Sequence, residues 1–305
     1  MRLDDFDPNI NVGDQRGSGG GFSGFGGGGG GGGLLLAFLP MIFSRFGCFG
    51  VAIAAGLFLV FGGGLQMLGG GGAPIGSSAP TESRGGTTAT KACTVDAASK
   101  AACNAFSSAD KTWAAIFAQN GKQFEQPKLW FYSGNGQSGC GAAQSAMGPF
   151  YCPQDQGIYL DTDFFQELAQ KFRASGDFAQ DYVIAHEFGH HIQNLLGTSD
   201  RVSSLQRRSS ATDGNKLSVM LELQADCFAG VWAAKNRDRM DPDDLGEGMT
   251  AAKAIGDDTL QREMQGRVVP DSFTHGTSEQ RMTWLKRGID TGDPSQCDTF
   301  NGALG

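Results

Sequence analysis

The sequence predicts an α+β domain, predominantly helical, behind a single transmembrane helix. Three observations lead there. Residues 34–68 are almost all apolar or glycine, a glycine-dominated head precedes them, and a C-terminal part of roughly 215 residues is long enough for one domain with a hydrophobic core.

In chain order, residues 1–33 are so rich in glycine that Phe22 and Phe25 are the aromatics of their Gly-rich part, and this segment is expected to be disordered. Residues 34–68 form the anchor region. Phe46 to Leu68 alone is about 23 residues, enough to cross about 30 Å of hydrocarbon, and Leu34 to Phe43 reads as an interfacial lead-in before Ser44 and Arg45. A cleavable signal peptide is the alternative, but the run starts too deep and is too long for one. Residues 69–90, rich in Gly, Ser, Thr and Pro, form a flexible linker. Residues 91–305 make the domain. Within it Ala97 to Asn120 reads as a helix carrying Phe106, Trp113, Ile116 and Phe117 to a core, and Leu129–Tyr132 and Gly157–Leu160 are strand candidates. For Ile158 to Leu160 two readings stand: a strand that accepts an extended peptide by β-augmentation, or an interior strand.

The chain carries seven cysteines, of which Cys48 lies in the apolar stretch. The other six read as Cys93 with Cys103, Cys140 with Cys152, and Cys227 with Cys297. Disulfides imply an oxidising compartment. Cysteine ligation of zinc competes with this reading, but there is no tight C-x-x-C pair, and Cys227 lies about 140° from Glu222 on a helical wheel. A net charge of −8 argues against a nucleic-acid partner, and the glycine runs lack the lysine and the strand–helix context of a phosphate loop.

The chemistry is concentrated in His186-Glu187-Phe188-Gly189-His190. Residues four apart share a helix face, so His186 and His190 lie about 40° apart on the wheel and can hold one metal ion while Glu187 flanks them. Two neutral imidazoles favour Zn²⁺, which lowers the pKa of a bound water to about 7, and the flanking carboxylate can take its proton. Such a string also arises by chance on amphipathic helices. Here three of the chain's four histidines fall in one stretch, with Tyr182 to Ala185 leading in and Gly197 placed to end the helix. His191, about 100° round from His190, reads as a packing position.

A catalytic zinc needs a third protein ligand and an open position. Lys216 to Lys235 reads as a second buried helix, and it carries Glu222 and Asp226, again four apart. Glu222 is the candidate ligand. Asp226 is the candidate acceptor for the free N–H of a ligating histidine. The plain alternative is a solvated acidic face, which the apolar surroundings disfavour.

These features together resemble the gluzincin metallopeptidases, in which H-E-x-x-H is completed by a glutamate in an E-x-x-A-D context. More closely, the chain resembles the bacterial membrane-anchored neutral zinc metallopeptidase family. The resemblance covers roughly residues 93–300 and includes Tyr151-Cys152-Pro153, Tyr159-Leu160-Asp161 and the run from Thr274 to Arg281. It implies a zincin-like fold, His186, His190 and Glu222 as zinc ligands, and Glu187 as general base. It also brings in His275, or Arg281, near the metal to steady an oxyanion, although Gly276 stands where a proline often follows that histidine. Read from the residues alone, His275 lies in a loop before a helix opened by a Thr277–Gln280 capping box and running to about Arg287. A surface loop histidine and a structural ion pair for Arg281 are the plain alternatives.

The expected function is a membrane-tethered zinc metalloendopeptidase acting on peptides or proteins. A single-pass protein of the bacterial inner membrane is expected, with residues 1–33 cytoplasmic and 69–305 periplasmic or extracellular. The charge bias across the span is weak, so the cysteines carry that orientation. The competing class is a catalytically silent, zinc-stabilised adaptor. Structural zinc sites are usually closed by four protein ligands and only three are visible, which favours the enzyme.

Overall fold

The computed structural model describes residues 1–17, 87–171, 174 and 176–301. The anchor region 34–68, the remainder of the head and most of the linker lie outside the described residues. The described residues are mixed α and β, and mostly helical.

A four-stranded sheet has the order β1-β2-β6-β5. Strands β1 (Val12–Asp14), β2 (Lys128–Tyr132) and β6 (Gly157–Asp161) run parallel, and β5 (Phe150–Cys152) pairs antiparallel with β6. All five residues of β6 are buried, as expected for a strand paired on both sides. Of the two readings open for Ile158 to Leu160, the interior one holds, and the edges of the sheet are β1 and β5. Between β2 and β5 the chain forms a hairpin, β3 (Asn135–Ser138) with β4 (Gly141–Gln144), and the Cys140–Cys152 disulfide ties its turn to β5.

The helices are α1 (Thr87–Cys93), α2 (Ala97–Gln119), α3 (Asp163–Gln170), α4 (Asp177–Leu195), α5 (Thr198–Gln206), α6 (Ala211–Lys235), α7 (Asp244–Ala254), α8 (Asp257–Gln265) and α9 (Ser278–Thr291). Helix α2 supplies Phe106 and Trp113 to the core, where they meet Phe188 of α4 and Phe228 of α6 edge-on at 5.5 and 5.2 Å. Helices α6 and α9 cross backbone to backbone. A Cβ added to Gly288 would lie 2.0 Å from the Cys227 carbonyl oxygen, so side chains are excluded at the crossing. Among the described helices α6 is long and apolar enough to cross a membrane. It is a core helix instead, since residues 223–233 are buried and Cys227 is bonded to Cys297. The other two disulfides, Cys93–Cys103 and Cys140–Cys152, also pair as the sequence suggests.

Two expectations are corrected. Residues 1–17 are not a disordered head. Val12, Gly13 and Asp14 pair with Leu129, Trp130 and Phe131, and Met1, Ile10 and Val12 are buried. The Phe6 N–H donates to Asn104 Oδ1 at 3.1 Å, and the Asp7 N–H to Ser107 Oγ at 2.9 Å. The Arg16 guanidinium stacks over Phe131 and donates to the Ala92 carbonyl at 2.8 Å. The physical reason is local: Leu3, Phe6, Ile10 and Val12 precede the glycine run, and averaging composition over 33 residues hides them. Residues 87–90, assigned to the linker, are helical in α1, whose Cys93 is fixed to α2.

Candidate metal centre

Helix α4 is buried on nearly all sides, including His186 at 6 % exposure and Glu187 at 7 %. It meets α6 closely at Gly189, where an added Cβ would lie 2.9 Å from the Ala225 carbonyl oxygen. That approach brings Glu222 under both histidines. Glu222 Oε2 lies 3.1 Å from His186 Nε2, and Oε1 lies 3.4 Å from His190 Nε2. The three donor atoms fall within 4.8 Å of one another, close enough for one metal ion. Two imidazole nitrogens and one carboxylate oxygen, with no fourth protein donor in the group, fit zinc with an open position.

Burial works against the Glu222 carboxylate, but His190 and His186 outweigh it and hold its pKa well below the ordinary value. For Glu187 burial prevails over the nearby imidazoles and raises the pKa. One carboxylate is thus kept anionic between the imidazoles, and its neighbour is made more basic.

Asp226 stands behind His186, accepting from Nδ1 at 2.8 Å. It also accepts from Tyr182 Oη at 2.6 Å and, on both oxygens, from Arg281 at 2.9 Å. Arg281 is 2 % exposed, so the structural ion pair is the reading that fits it. His191 likewise takes its packing role. Its Nε2–H donates to the Glu125 carbonyl at 2.7 Å, Tyr151 contacts Nδ1 at 3.1 Å, and burial pushes its pKa down to about 4.

His275 sits in the loop before α9, whose N-terminus carries both hydrogen bonds of the Thr277–Gln280 capping box. Asp257 organises that loop. Its Oδ2 accepts the backbone N–H groups of Thr274, His275 and Gly276, and its Oδ1 lies 3.1 Å from His275 Nδ1. Gly276, at φ +88°, lies over Val219 and Leu223 of α6, which sets the loop beside Glu222. The His275 side chain is 43 % exposed.

Sequence reasoning missed Tyr182, Gln193, Gln224 and Asp257. Tyr182 and Gln193 lie one helical turn from His186 and His190, and that spacing was the available signal. Nothing local marks Asp257. A second acidic group, Asp177, Asp244 and Glu247, is also compact enough for a cation. The Met1 amine already lies 2.7 Å from Asp177 and 3.0 Å from Asp244.

An H-E-x-x-H helix crossed by a glutamate-bearing helix defines a metal site of the type found in zinc hydrolases. The chain belongs to the family described as "Putative neutral zinc metallopeptidase", whose model matches residues 1–300. It is 52 % identical over 211 residues to "Uncharacterized protein YpfJ" of Escherichia coli (strain K12), covering 68 % of this chain and 74 % of that protein. It is 43 % identical over 193 residues to "Uncharacterized protein Rv2575" of Mycobacterium tuberculosis, covering 59 % and 64 %. No solved structure matches it.

Proposed function

We propose that this protein is a zinc metalloendopeptidase tethered to the bacterial inner membrane through residues 34–68, with its catalytic domain in the periplasm or outside the cell. The observation that carries the reading is the convergence of His186, His190 and Glu222 with Glu187 alongside. Zn²⁺ held by those three residues would lower the pKa of a water to about 7 and polarise a peptide carbonyl. Glu187 takes the proton from the attacking water and passes it to the leaving amine. His275, held through Nδ1 by Asp257, offers its other nitrogen to the oxygen that gains negative charge. The free edge of β5, whose Tyr151 contacts His191 and Asn194 of α4, suits an extended peptide laid beside the zinc helix. The three disulfides support the oxidising compartment.

The full chain is expected to cleave members of a broad peptide library with zinc and to stop when zinc is chelated. Metal analysis should find about one equivalent of zinc, falling sharply in Glu222→Ala. Unchanged metal in that variant removes Glu222 from the site. Bound zinc without cleavage of any peptide points to the adaptor instead.

A further inference from the structure

The second histidine has a support of its own. His190 Nδ1 lies 2.8 Å from Gln193 Oε1, and Gln193 is fully buried. The Gln193 amide nitrogen donates to the Leu221 carbonyl at 2.7 Å and to Gln224 Oε1 at 3.2 Å. Both partners are acceptors, so the amide oxygen must face His190. An acceptor at Nδ1 places the ring proton there and leaves the Nε2 lone pair facing Glu222. Gln224 is fixed in turn, because its own amide nitrogen donates to the Cys297 carbonyl at 2.9 Å. That carbonyl belongs to the residue bonded to Cys227 of α6.

We propose that Gln193 and Gln224 are positioning residues that set the tautomer and direction of His190, and that the Cys227–Cys297 disulfide holds the carbonyl on which this relay ends. The C-terminal segment thereby governs metal retention without touching the metal, and reducing one disulfide loosens the site. The proposal rests on the zinc-site reading above.

Chelator competition on the full chain tests it, alongside visible spectra of the Co²⁺-substituted protein. Gln193→Leu is expected to weaken zinc binding about 10- to 100-fold and to alter the Co²⁺ spectrum. Gln193→Glu keeps an acceptor toward His190 but sets a second oxygen against the Leu221 carbonyl and Gln224 Oε1, so it should also weaken zinc binding. Gln224→Leu and the Cys227→Ser/Cys297→Ser pair should each weaken binding, and together no more than the larger of the two, since they interrupt one path. Unchanged affinity in Gln193→Leu, or additive losses from Gln224→Leu and the cysteine pair, overturns the relay while the zinc site stands. A wild-type chain that binds no zinc overturns the site reading and the relay with it.

A different observation carries a second inference. Strand β1 pairs residue by residue with β2, and the contacts of Phe6, Asp7 and Arg16 reach α1 and α2. The family match also takes in this segment. A sheet cannot be assembled through a bilayer, whose core satisfies no unpaired strand. We infer that residues 1–17 and 87–301 lie on the same face of any membrane entered by the chain between them, so a single crossing is incompatible with this fold.

Variants with one added cysteine decide it, in full chains that carry Cys48→Ser and keep the three disulfides. Asp4→Cys, at a side chain 89 % exposed, and Asp271→Cys, also exposed, are treated with a membrane-impermeant maleimide in sealed oriented vesicles. Both sites should label, or both be protected. Labelling of one site with protection of the other overturns the inference.

Discussion

Glu187→Gln is expected to keep its metal and its fold and to lose about 10²- to 10⁴-fold in kcat/KM, the usual worth of a positioned general base. The substitution preserves shape in a site where Glu187 is 7 % exposed, so a packing defect is not the expected cause of the loss. An amide has no lone pair basic enough to take a proton from water. Burial makes the native carboxylate more basic than usual, which suits the transfer, while the nearby imidazoles limit the shift. Peptide turnover and zinc stoichiometry on the same full-chain preparation separate the roles. Lost activity with about one equivalent of zinc retained marks Glu187 as the base, and equal turnover removes it from the chemistry. Loss of metal and activity together would instead make Glu187 part of the metal's support.

How much of the site is legible in the sequence depends on how far apart the partners are. The four-residue spacings in His186–His190 and Glu222–Asp226 project directly onto helix faces, so the candidate donors and a supporting carboxylate are legible in the sequence, while only the structure shows that Asp226 stands behind His186. The three disulfides follow from an even count: two close pairs, 10 and 12 residues apart, leave Cys227 with Cys297. Partners brought together only by tertiary packing are not legible. Asp257 holds the His275 loop across 18 residues, and Arg281 reaches Asp226 across 55, which no local periodicity encodes. The head escapes for another reason. Its apolar residues are few and lie beside a long glycine run, and the pairing that orders them is with β2, more than a hundred residues away.

Removing the Arg281 side chain should be the most destabilising single change at the site, because Asp226 would keep its charge with no cation against it. Asp226 is fully buried, and burial alone would raise its carboxyl pKa. Arg281, with help from His186, reverses that and lowers it, through guanidinium contacts of 2.9 Å to both oxygens. Leaving one half of such a buried pair is strongly destabilising, so Arg281→Met is expected to cost about 3–5 kcal/mol in urea unfolding. Asp226→Asn alone leaves the buried guanidinium short of a charged acceptor and should also be costly. The double variant Arg281→Met/Asp226→Asn removes both charges and should recover much of the loss. Additive costs in that cycle would mean the pair is not coupled as its geometry requires. Metal content distinguishes stability from positioning. The double variant refolds the core yet leaves His186 Nδ1 without a carboxylate, so its zinc affinity should remain about 10- to 100-fold weak even where its stability returns.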